Sequence, residues 1–196
     1  MAKLTFNYGC MGSGKTTRML TQFDLYKRRR KKPLIIKPCI DTRETGEEKF
    51  VGWGVTKSRI TRNEEPVYYF DTLNDVITHL EYGVLFVDEA QFLTREEVVE
   101  LARIVDINNI DVFCFVLKTD VNGYLFEGAK HLFALADEFV EFESLCEIDG
   151  CNNKATCHVR FINGEPDYSG KSVAIEQGDV TYKSVCRKHW SVKNSK

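Results

Sequence analysis

Apolar runs and amphipathic segments alternate along the first 143 residues of the chain. Residues 3–8 alternate apolar and polar positions and lead into Gly9, which predicts a strand that ends in a glycine-rich turn. Residues 15–26 carry an apolar stripe at helical spacing, so we expect a helix directly after that turn. The chain therefore begins with a strand, a turn and a helix.

The same alternation continues to residue 143. Further strands are predicted where short apolar runs carry no polar face, at 34–37, 84–87, 110–117 and 139–142. Helices are predicted after an N-cap at Asp71, after a capping box of Thr94 and Glu97, and at 132–136. The polar stretch 39–54 is predicted to be a loop. Apolar strands need cover on both sides, so this pattern predicts an α/β fold with a mainly parallel sheet and helices on both faces.

The sequence pattern changes from Ser144 onwards. Cysteines, short β-like runs and turns such as Asn163-Gly164 replace the alternation of predicted strands and helices. We therefore predict two domains. Residues 1–143 would form the α/β domain, and residues 144–196 would form a small C-terminal domain.

Composition narrows the classes of function. Hydrophobic residues make up 43% of the chain and charged residues 29%, which is the balance of a folded domain. Lys and Arg number 27 against 29 Asp and Glu, so we expect small-molecule partners and no polymeric nucleic acid. We expect the basic run 27–32 to be a solvated helix end.

No apolar run approaches the roughly 20 residues of a membrane helix, and no signal peptide is recognisable, which predicts a cytoplasmic protein without a membrane partner. Seven cysteines would stay reduced there, so burial or metal binding must account for them.

The turn after the first strand carries the phosphate-binding motif G-x-x-x-x-G-K-[ST]. Its glycines let successive main-chain N–H groups and the helix N-terminus point at phosphate, Lys15 adds a positive charge, and the Thr16 hydroxyl can ligate Mg²⁺. The motif predicts a P-loop (RecA-like) domain that uses ATP and Mg²⁺. Its residues, with the threonine that follows, are Gly9, Cys10, Met11, Gly12, Ser13, Gly14, Lys15, Thr16 and Thr17.

An acidic pair follows the apolar strand at 84–87. Asp88 lies at the carboxyl end of that strand, where α/β sheets bind their ligands, and it is predicted to belong to the metal shell. Glu89 stands one residue further, on the turn, and is predicted to take the proton from an attacking hydroxyl group.

Two pairs of metal-ligand residues occur in the C-terminal part, Cys146-x4-Cys151 and Cys186-x2-His189. Four such ligands suit tetrahedral zinc, and structural zinc would replace the core that a module of this size cannot build alone. The pattern therefore predicts a zinc ribbon. Cys157 is an alternative ligand, and His158 is predicted to have no functional group around it.

Several segments, taken in this order, resemble the thymidine kinases of the cellular type, a zinc-containing family found in animals, bacteria and large phages. The resemblance covers nearly the whole chain. The segments that carry it are the glycine loop with Met11 and Ser13, Asp41-Thr42-Arg43, Val87-Asp88-Glu89-Ala90-Gln91-Phe92, 123–128, and 182–190.

The resemblance implies a homotetrameric enzyme that moves the γ-phosphoryl group of ATP to the 5′-hydroxyl of thymidine, with feedback inhibition by dTTP. Glu89 matches the general base, Asp41 and Arg43 match residues near the phosphates, and Asp88, Ala90 and Gln91 belong to the ATP and Mg²⁺ site. The zinc module is implied to tether a lasso loop over the nucleoside. The nucleoside residues implied are Met11, Phe92, Leu117, Val121, Phe126, Tyr182 and the lasso stretch Val173, Ala174, Ile175, Glu176 and Gln177.

The chain departs from the family's pattern in the nucleoside pocket and in the zinc module. Val121 stands where an aromatic residue is usual, Glu176-Gln177 replace a more apolar lasso sequence, and the first cysteine pair is wider than usual.

Two other functions stay open at this point. Asp-Glu-Ala-Gln also resembles the box of ATP-driven motors, although such motors usually pair two α/β domains and present basic surface. The other is a zinc-ribbon module that binds nucleic acid or protein, with the P-loop as a switch.

Overall fold

A computed structural model describes residues 1–39, 50–167 and 180–191 of the chain. The strands in these ranges are β1 (Leu4–Gly9), β2 (Pro33–Pro38), β3 (Gly52–Lys57), β4 (Glu64–Phe70), β5 (Val84–Val87), β6 (Asp111–Leu117), β7 (Glu138–Phe142), β8 (Cys157–Ile162), β9 (Glu165–Asp167) and β10 (Val180–Val185). The helices are α1 (Lys15–Arg28), α2 (Leu73–His79), α3 (Arg95–Asn108), α4 (Glu127–Leu135) and α5 (Arg187–Ser191), with a short 3-10 helix at Ala90–Phe92. None of the helices in the part of the chain described is long and apolar enough to cross a membrane.

Seven of the described strands form one mixed sheet in the order β3-β4-β2-β5-β6-β1-β7. β3 pairs with β4 in antiparallel fashion, and every other neighbouring pair in this sheet is parallel. β1 and β5 lie on either side of β6, so the residues that follow them emerge at the same edge of the sheet. This topology brings the glycine loop and the acidic pair together.

Helices cover both faces of this sheet. On one face α1 packs Met19, Leu20 and Phe23 against the strands. On the other face α2, α3 and α4 bury a larger apolar cluster, to which the fully buried Leu101 of α3 belongs. The predicted capping box begins α3, since the Glu97 N–H donates to Thr94 Oγ1 at 3.3 Å. The predicted α/β architecture is confirmed.

The remaining described strands form a smaller antiparallel sheet in the order β10-β8-β9. Its core is short and contains two of the cysteines, with Val159, Phe161 and Val185 packed beside Cys146 and Cys186. So small an apolar cluster supplies little stability by burial alone.

Two predictions near the first crossover are wrong. The loop predicted at 39–54 ends earlier, because β3 begins at Gly52. The apolar side chains of β3 are exposed, with Trp53 at 56% and Val55 at 60%, so the usual pattern of buried positions is missing. The N-cap of α2 is Thr72 and not Asp71, and no side chain caps the helix.

The last strand of the larger sheet is also not a core strand. β7 lies at the sheet edge, paired only with β1 among the described strands. Its Phe139 is 48% exposed and its Val140 is 40% exposed. An apolar run does not by itself distinguish an edge strand from a central one, since burial depends on what packs against the strand.

Candidate functional site

The glycine loop joins β1 to α1. Gly12 and Gly14 have φ values of +69° and +83°, a conformation that glycine adopts without the penalty of a Cβ atom. A Cβ atom on Gly9 would lie 2.6 Å from the Phe142 carbonyl oxygen and 2.7 Å from Ser13 Oγ. Glycine at these positions therefore lets the backbone curl between strand and helix, as the motif requires.

Lys15 folds back over this loop. Its Nζ donates to the Cys10 carbonyl at 2.7 Å, to the Gly9 carbonyl at 3.3 Å and to Ser13 Oγ at 3.4 Å. Burial lowers the pKa of Lys15, whereas the nearby Glu89 opposes that shift. The ammonium group is thus held by weak neutral acceptors, and an anion in the loop would be a stronger partner.

The acidic pair follows β5 directly. Asp88 is buried, and its backbone N–H donates to the Ile36 carbonyl at 2.9 Å. Burial, with a smaller contribution from the Glu89 charge, raises the pKa of Asp88 to about 6. A buried carboxylate with a raised pKa gains from a nearby cation, and Asp88 is thus a chemically suitable ligand for a hard divalent metal ion.

Glu89 occupies a left-handed backbone conformation with φ +54°. Its carboxylate accepts a hydrogen bond from Gln91 Nε2 at 2.5 Å and lies 3.7 Å from Lys37 Nζ. Gln91 is buried, and its Oε1 accepts from the Leu117 N–H at 3.1 Å. Gln91 therefore connects Glu89 to the end of β6 and fixes the direction of the carboxylate.

A cavity of about 380 Å³ opens between these groups. It is lined by the glycine loop and the start of α1, by the acidic pair, by residues of β2, β3, β4 and β6, and by the segment after β3. These residues are Met11, Gly12, Ser13, Gly14, Lys15, Thr16, Thr17, Lys37, Val55, Thr56, Lys57, Arg59, Ile60, Tyr69, Asp88, Glu89, Phe115 and Leu117. Lys37 is a cation in this cavity that motif reasoning does not find. A larger cavity of about 640 Å³ lies beside α1 and contains none of the predicted site residues.

The structure divides the described part of the predicted nucleoside pocket. Met11 and Leu117 line the cavity of the glycine loop. Phe92 and Phe126 line a separate cavity of about 290 Å³ and meet edge to face, with ring centroids 5.8 Å apart. Val121 accepts a hydrogen bond from Trp190 Nε1 at 2.9 Å through its carbonyl oxygen.

Tyr182 and Ala90, also predicted to belong to the site, line neither of these two cavities. Tyr182 lies on β10, opposite Arg160 of β8. Ala90 is buried, and Thr17 Oγ1 lies 2.7 Å from the Ser58 hydroxyl. Asp41, Arg43 and the lasso stretch 173–177 lie outside the described residues.

The four predicted metal ligands converge at one end of the smaller sheet. The ligand atoms of Cys146, Cys151, Cys186 and His189 all lie within 4.8 Å of one another. His189 Nδ1 is 3.3 Å from Cys146 Sγ and 3.4 Å from Cys186 Sγ. Cys151 Sγ is 3.9 Å from Cys186 Sγ. A zinc tetrahedron with bonds of about 2.0–2.3 Å places its ligand atoms roughly 3.3–3.8 Å apart, so the set fits zinc.

The electrostatics of the cluster also suit a metal ion. The backbone N–H of His189 lowers the pKa of Cys186 to about 6, whereas burial raises the pKa of Cys146. All seven cysteines lie in the described ranges, and none forms a disulfide. Cys157 does not belong to the group of four ligand atoms.

His158 is the clearest error of sequence reasoning. It is buried, and its Nε2 accepts a hydrogen bond from the Met11 N–H of the glycine loop at 2.8 Å. Ser184 donates to the Met11 carbonyl at 2.8 Å. These contacts join residues 147 and 173 positions apart in sequence, so no local motif could signal them.

A glycine loop between β1 and α1, faced by carboxylates at the end of β5, defines the P-loop class of α/β proteins. A sequence model of the family described as thymidine kinase matches residues 2–190. The chain therefore belongs to the thymidine kinase family of enzymes.

Curated relatives agree with this family. A thymidine kinase of Streptococcus pyogenes serotype M3 is 40% identical over 195 residues, which covers 97% of both chains. One from Streptococcus agalactiae serotype Ia is 39% identical over 196 residues, again with 97% of both chains covered. Among solved structures, the large terminase of a thermophilic bacteriophage matches 72% of this chain and 40% of its own length at 10% identity. Its TM-score of 0.37 is too low to bear on the site.

Proposed function

We propose that this chain transfers the γ-phosphoryl group of ATP to the 5′-hydroxyl of thymidine and releases ADP and dTMP. One observation carries the proposal: in a chain of the thymidine kinase family, Lys15, Asp88 and Glu89 converge on a single cavity. The product would enter DNA precursor synthesis by pyrimidine salvage, and dTTP would act as a feedback inhibitor.

The glycine loop would bind the phosphates of ATP. Its N–H groups and the N-terminus of α1 supply partial positive charge at the cavity. Lys15 would exchange its carbonyl partners for phosphate oxygens, and the charge on the transferred group would favour that exchange. The predicted contributions of Asp41 and Arg43 near the phosphates belong to the same proposal.

Glu89 would act as the general base. In the transfer step the 5′-oxygen forms a bond to the γ-phosphorus while the bond to the β–γ bridging oxygen breaks and its electron pair leaves with ADP. The hydroxyl proton passes to the Glu89 carboxylate. Gln91 and Lys37 would keep that carboxylate directed into the cavity through the contacts at 2.5 Å and 3.7 Å.

Asp88 and Thr16 would hold Mg²⁺, because a buried carboxylate and a hydroxyl from the first turn of α1 line the same cavity. The ion would supply positive charge beside the β- and γ-phosphate oxygens. Ala90 and Gln91 would support this region from behind Glu89, as buried residues of the turn.

Thymidine would lie between the glycine loop and the end of β6, against Met11 and Leu117. Phe92, Phe126, Val121 and Tyr182 would complete the pocket with the lasso residues 173–177. Bulky 5-substituted deoxyuridines should also be accepted, since Val121 is smaller than the aromatic residue usual in the family.

The smaller sheet would be a zinc module. Cys146, Cys151, Cys186 and His189 would hold one structural zinc ion, which would tie the segment before β8 to the segment after β10. We propose that residues 144–196 form this second domain and residues 1–143 the first.

Exposed apolar side chains on α4 and β7, namely Phe133, Leu135 and Phe139, support the proposed homotetramer. Seven unbridged cysteines support a cytoplasmic location.

The proposal is tested by following ADP and dTMP together. With ATP and thymidine the two products should form in equal amounts, and ATP alone should give little ADP. Lys15→Ala should lower turnover by orders of magnitude, whereas Lys31→Ala, which removes an exposed lysine beyond α1, should not. Rapid ADP formation without thymidine, at the same rate as with it, would instead favour an ATP-driven motor.

A further inference from the structure

Two side chains of the smaller sheet form hydrogen bonds to Met11 of the glycine loop. His158 of β8 and Ser184 of β10 stand opposite each other in the antiparallel ladder. His158 Nε2 accepts from the Met11 N–H at 2.8 Å, and Ser184 Oγ donates to the Met11 carbonyl at 2.8 Å. Both main-chain polar groups of Met11 are thus bound by one cross-strand pair.

The pair is built into its surroundings. His158 is 4% exposed and Ser184 is 1% exposed. The imidazole also hydrogen-bonds the Thr119 backbone, and the Ser184 backbone N–H donates to the Glu147 carboxylate. Burial, reinforced by the charges of Lys15 and Lys118, lowers the pKa of His158 to about 4. The ring is therefore neutral near pH 7, and only a neutral imidazole can accept a hydrogen bond at Nε2.

Met11 lies at the point where its orientation matters for phosphate. Its two peptide planes lead from Cys10, whose carbonyl holds Lys15, to Gly12, whose φ is +69°. Glycine permits many alternatives to that conformation, so the loop itself does not specify the direction of the following N–H groups. Fixing both planes at Met11 restricts the loop to the curl that α1 continues.

We propose that His158 and Ser184 are positioning residues, a clamp on Met11 that holds the glycine loop in its phosphate-binding conformation. The idea rests on the proposed function, because it assigns the phosphates of ATP to this loop. The clamp touches no reacting atom. It acts by removing conformations of the loop that would otherwise have to be excluded when nucleotide binds.

Binding of ADP to the folded protein, measured by calorimetry in the presence of Mg²⁺, tests the clamp. Ser184→Ala should raise the dissociation constant about 2- to 10-fold, the range for loss of one neutral hydrogen bond. Ser184→Thr keeps a hydroxyl and should bind nearly as wild type. Thr181→Ala is the matched control, since it removes an exposed hydroxyl from the same strand. ADP affinity in Ser184→Ala equal to that of Thr181→Ala would overturn the proposal.

Two variants test the hydrogen bond from the Met11 N–H to His158. His158→Gln offers an amide oxygen to the Met11 N–H and should retain most of the ADP affinity. His158→Leu offers no acceptor, so its ADP affinity should fall. Equal affinity in the two variants would overturn the role of the ring.

In the kinetics, the clamp predicts a higher KM for ATP in Ser184→Ala with the KM for thymidine little changed. A wild-type protein that binds ADP but does not phosphorylate thymidine would refute the proposed function while leaving the clamp testable by binding.

Discussion

Glu89 combines a chemical role with an unusual backbone. A non-glycine residue in the left-handed region costs of order 1–3 kcal/mol, and such strain persists only where the surroundings enforce it. Here Gln91 binds the Glu89 carboxylate and is itself fixed by the Leu117 N–H. The conformation points the carboxylate away from β5 and into the cavity that Lys15 also lines.

Glu89→Gln tests this residue as the base. The amide keeps the size of the side chain and can still bond Gln91, but it cannot accept the hydroxyl proton. Turnover should fall by roughly 10²- to 10⁴-fold, with little change in the dissociation constant of thymidine. Steady-state kinetics with saturating ATP measures the first quantity, and equilibrium binding measures the second. A loss of less than about fivefold would assign the proton to another acceptor.

His158 should leave a signature in the pH dependence of stability. Its pKa is about 4 in the folded protein and 6.5 in the unfolded chain, so unfolding takes up a proton between those values. The stability it contributes is complete above pH 6.5 and is lost as pH falls toward 4. Asp88 acts in the opposite sense, because its pKa is raised from 3.8 to about 6. The two effects therefore oppose each other in the wild type.

The difference between wild type and His158→Gln isolates the histidine. The free energy of unfolding of the wild type, relative to the variant, should decline as pH falls below 6.5, by at most about 1.4 kcal/mol per pH unit. Urea unfolding at a series of pH values between 7 and 5 provides the comparison. Both proteins carry the same cysteine cluster, so its protonation drops out. A difference that does not vary with pH would show that the pKa of His158 is the same in the folded protein and in the unfolded chain.

The motif residues could be predicted because their spacing is local. Lys15 and Glu89 are each identified by neighbours within a few positions, and the structure places both at one cavity. Lys37 and His158 could not be found in this way. Lys37 meets Glu89 only because β2 and β5 are adjacent in the sheet, and His158 meets Met11 only because β8 packs against the glycine loop.

At the scale of elements, prediction succeeded where burial and period agree. The run at 84–87 is buried at every position, and α3 has both a capping box and an apolar stripe. β4 gives no such signal, because Pro66 interrupts it, and β3 turns its apolar side chains outward. The conspicuous patterns therefore belong to a central strand and to a helix packed on the sheet, and the weak ones to the antiparallel edge strand β3 and its neighbour β4.

Gly128 couples α4 to the turn that holds Glu89. A Cβ atom there would lie 2.2 Å from the Ala90 carbonyl oxygen and 3.0 Å from the Gln91 carbonyl carbon. Alanine is the better helix former by about 1 kcal/mol, but the overlap forces a backbone shift. Gly128→Ala should therefore destabilise the protein by about 1–3 kcal/mol in urea unfolding and lower turnover, whereas Lys130→Ala on an exposed position of α4 should do neither. A more stable Gly128→Ala variant would show that α4 can move away from the turn.

At the scale of the whole molecule, the smaller sheet and α5 contact the loops of the larger sheet at the site. His158 and Ser184 hold Met11, and Trp190 donates to the Val121 carbonyl at 2.9 Å. Trp190 directly follows His189, so the metal cluster lies one residue from the second contact. The boundary at residue 143 stays a prediction, as does the tetramer.

Metal removal should be visible through Trp190. The chain has two tryptophans, so Trp53→Phe leaves Trp190 as the fluorescent reporter. A strong chelator should release about one zinc ion per chain by the four-ligand count and shift Trp190 emission to longer wavelength, since loss of the ion frees α5. Helical circular dichroism from the larger sheet's helices should change little. Protein that contains no metal and emits identically with and without chelator would contradict the zinc site.

The nucleoside preference tests the central claim most directly. If the lasso main chain reads the thymine edge, cytosine leaves polar groups unpaired at about 1–3 kcal/mol each, and loss of the 5-methyl group against Met11 costs roughly 1–3 kcal/mol at most. We therefore predict that kcat/KM with saturating ATP is highest for thymidine, lower but measurable for deoxyuridine, much lower for deoxycytidine and negligible for deoxyguanosine. Equal kcat/KM for thymidine and deoxycytidine would contradict thymidine as the substrate that this site selects.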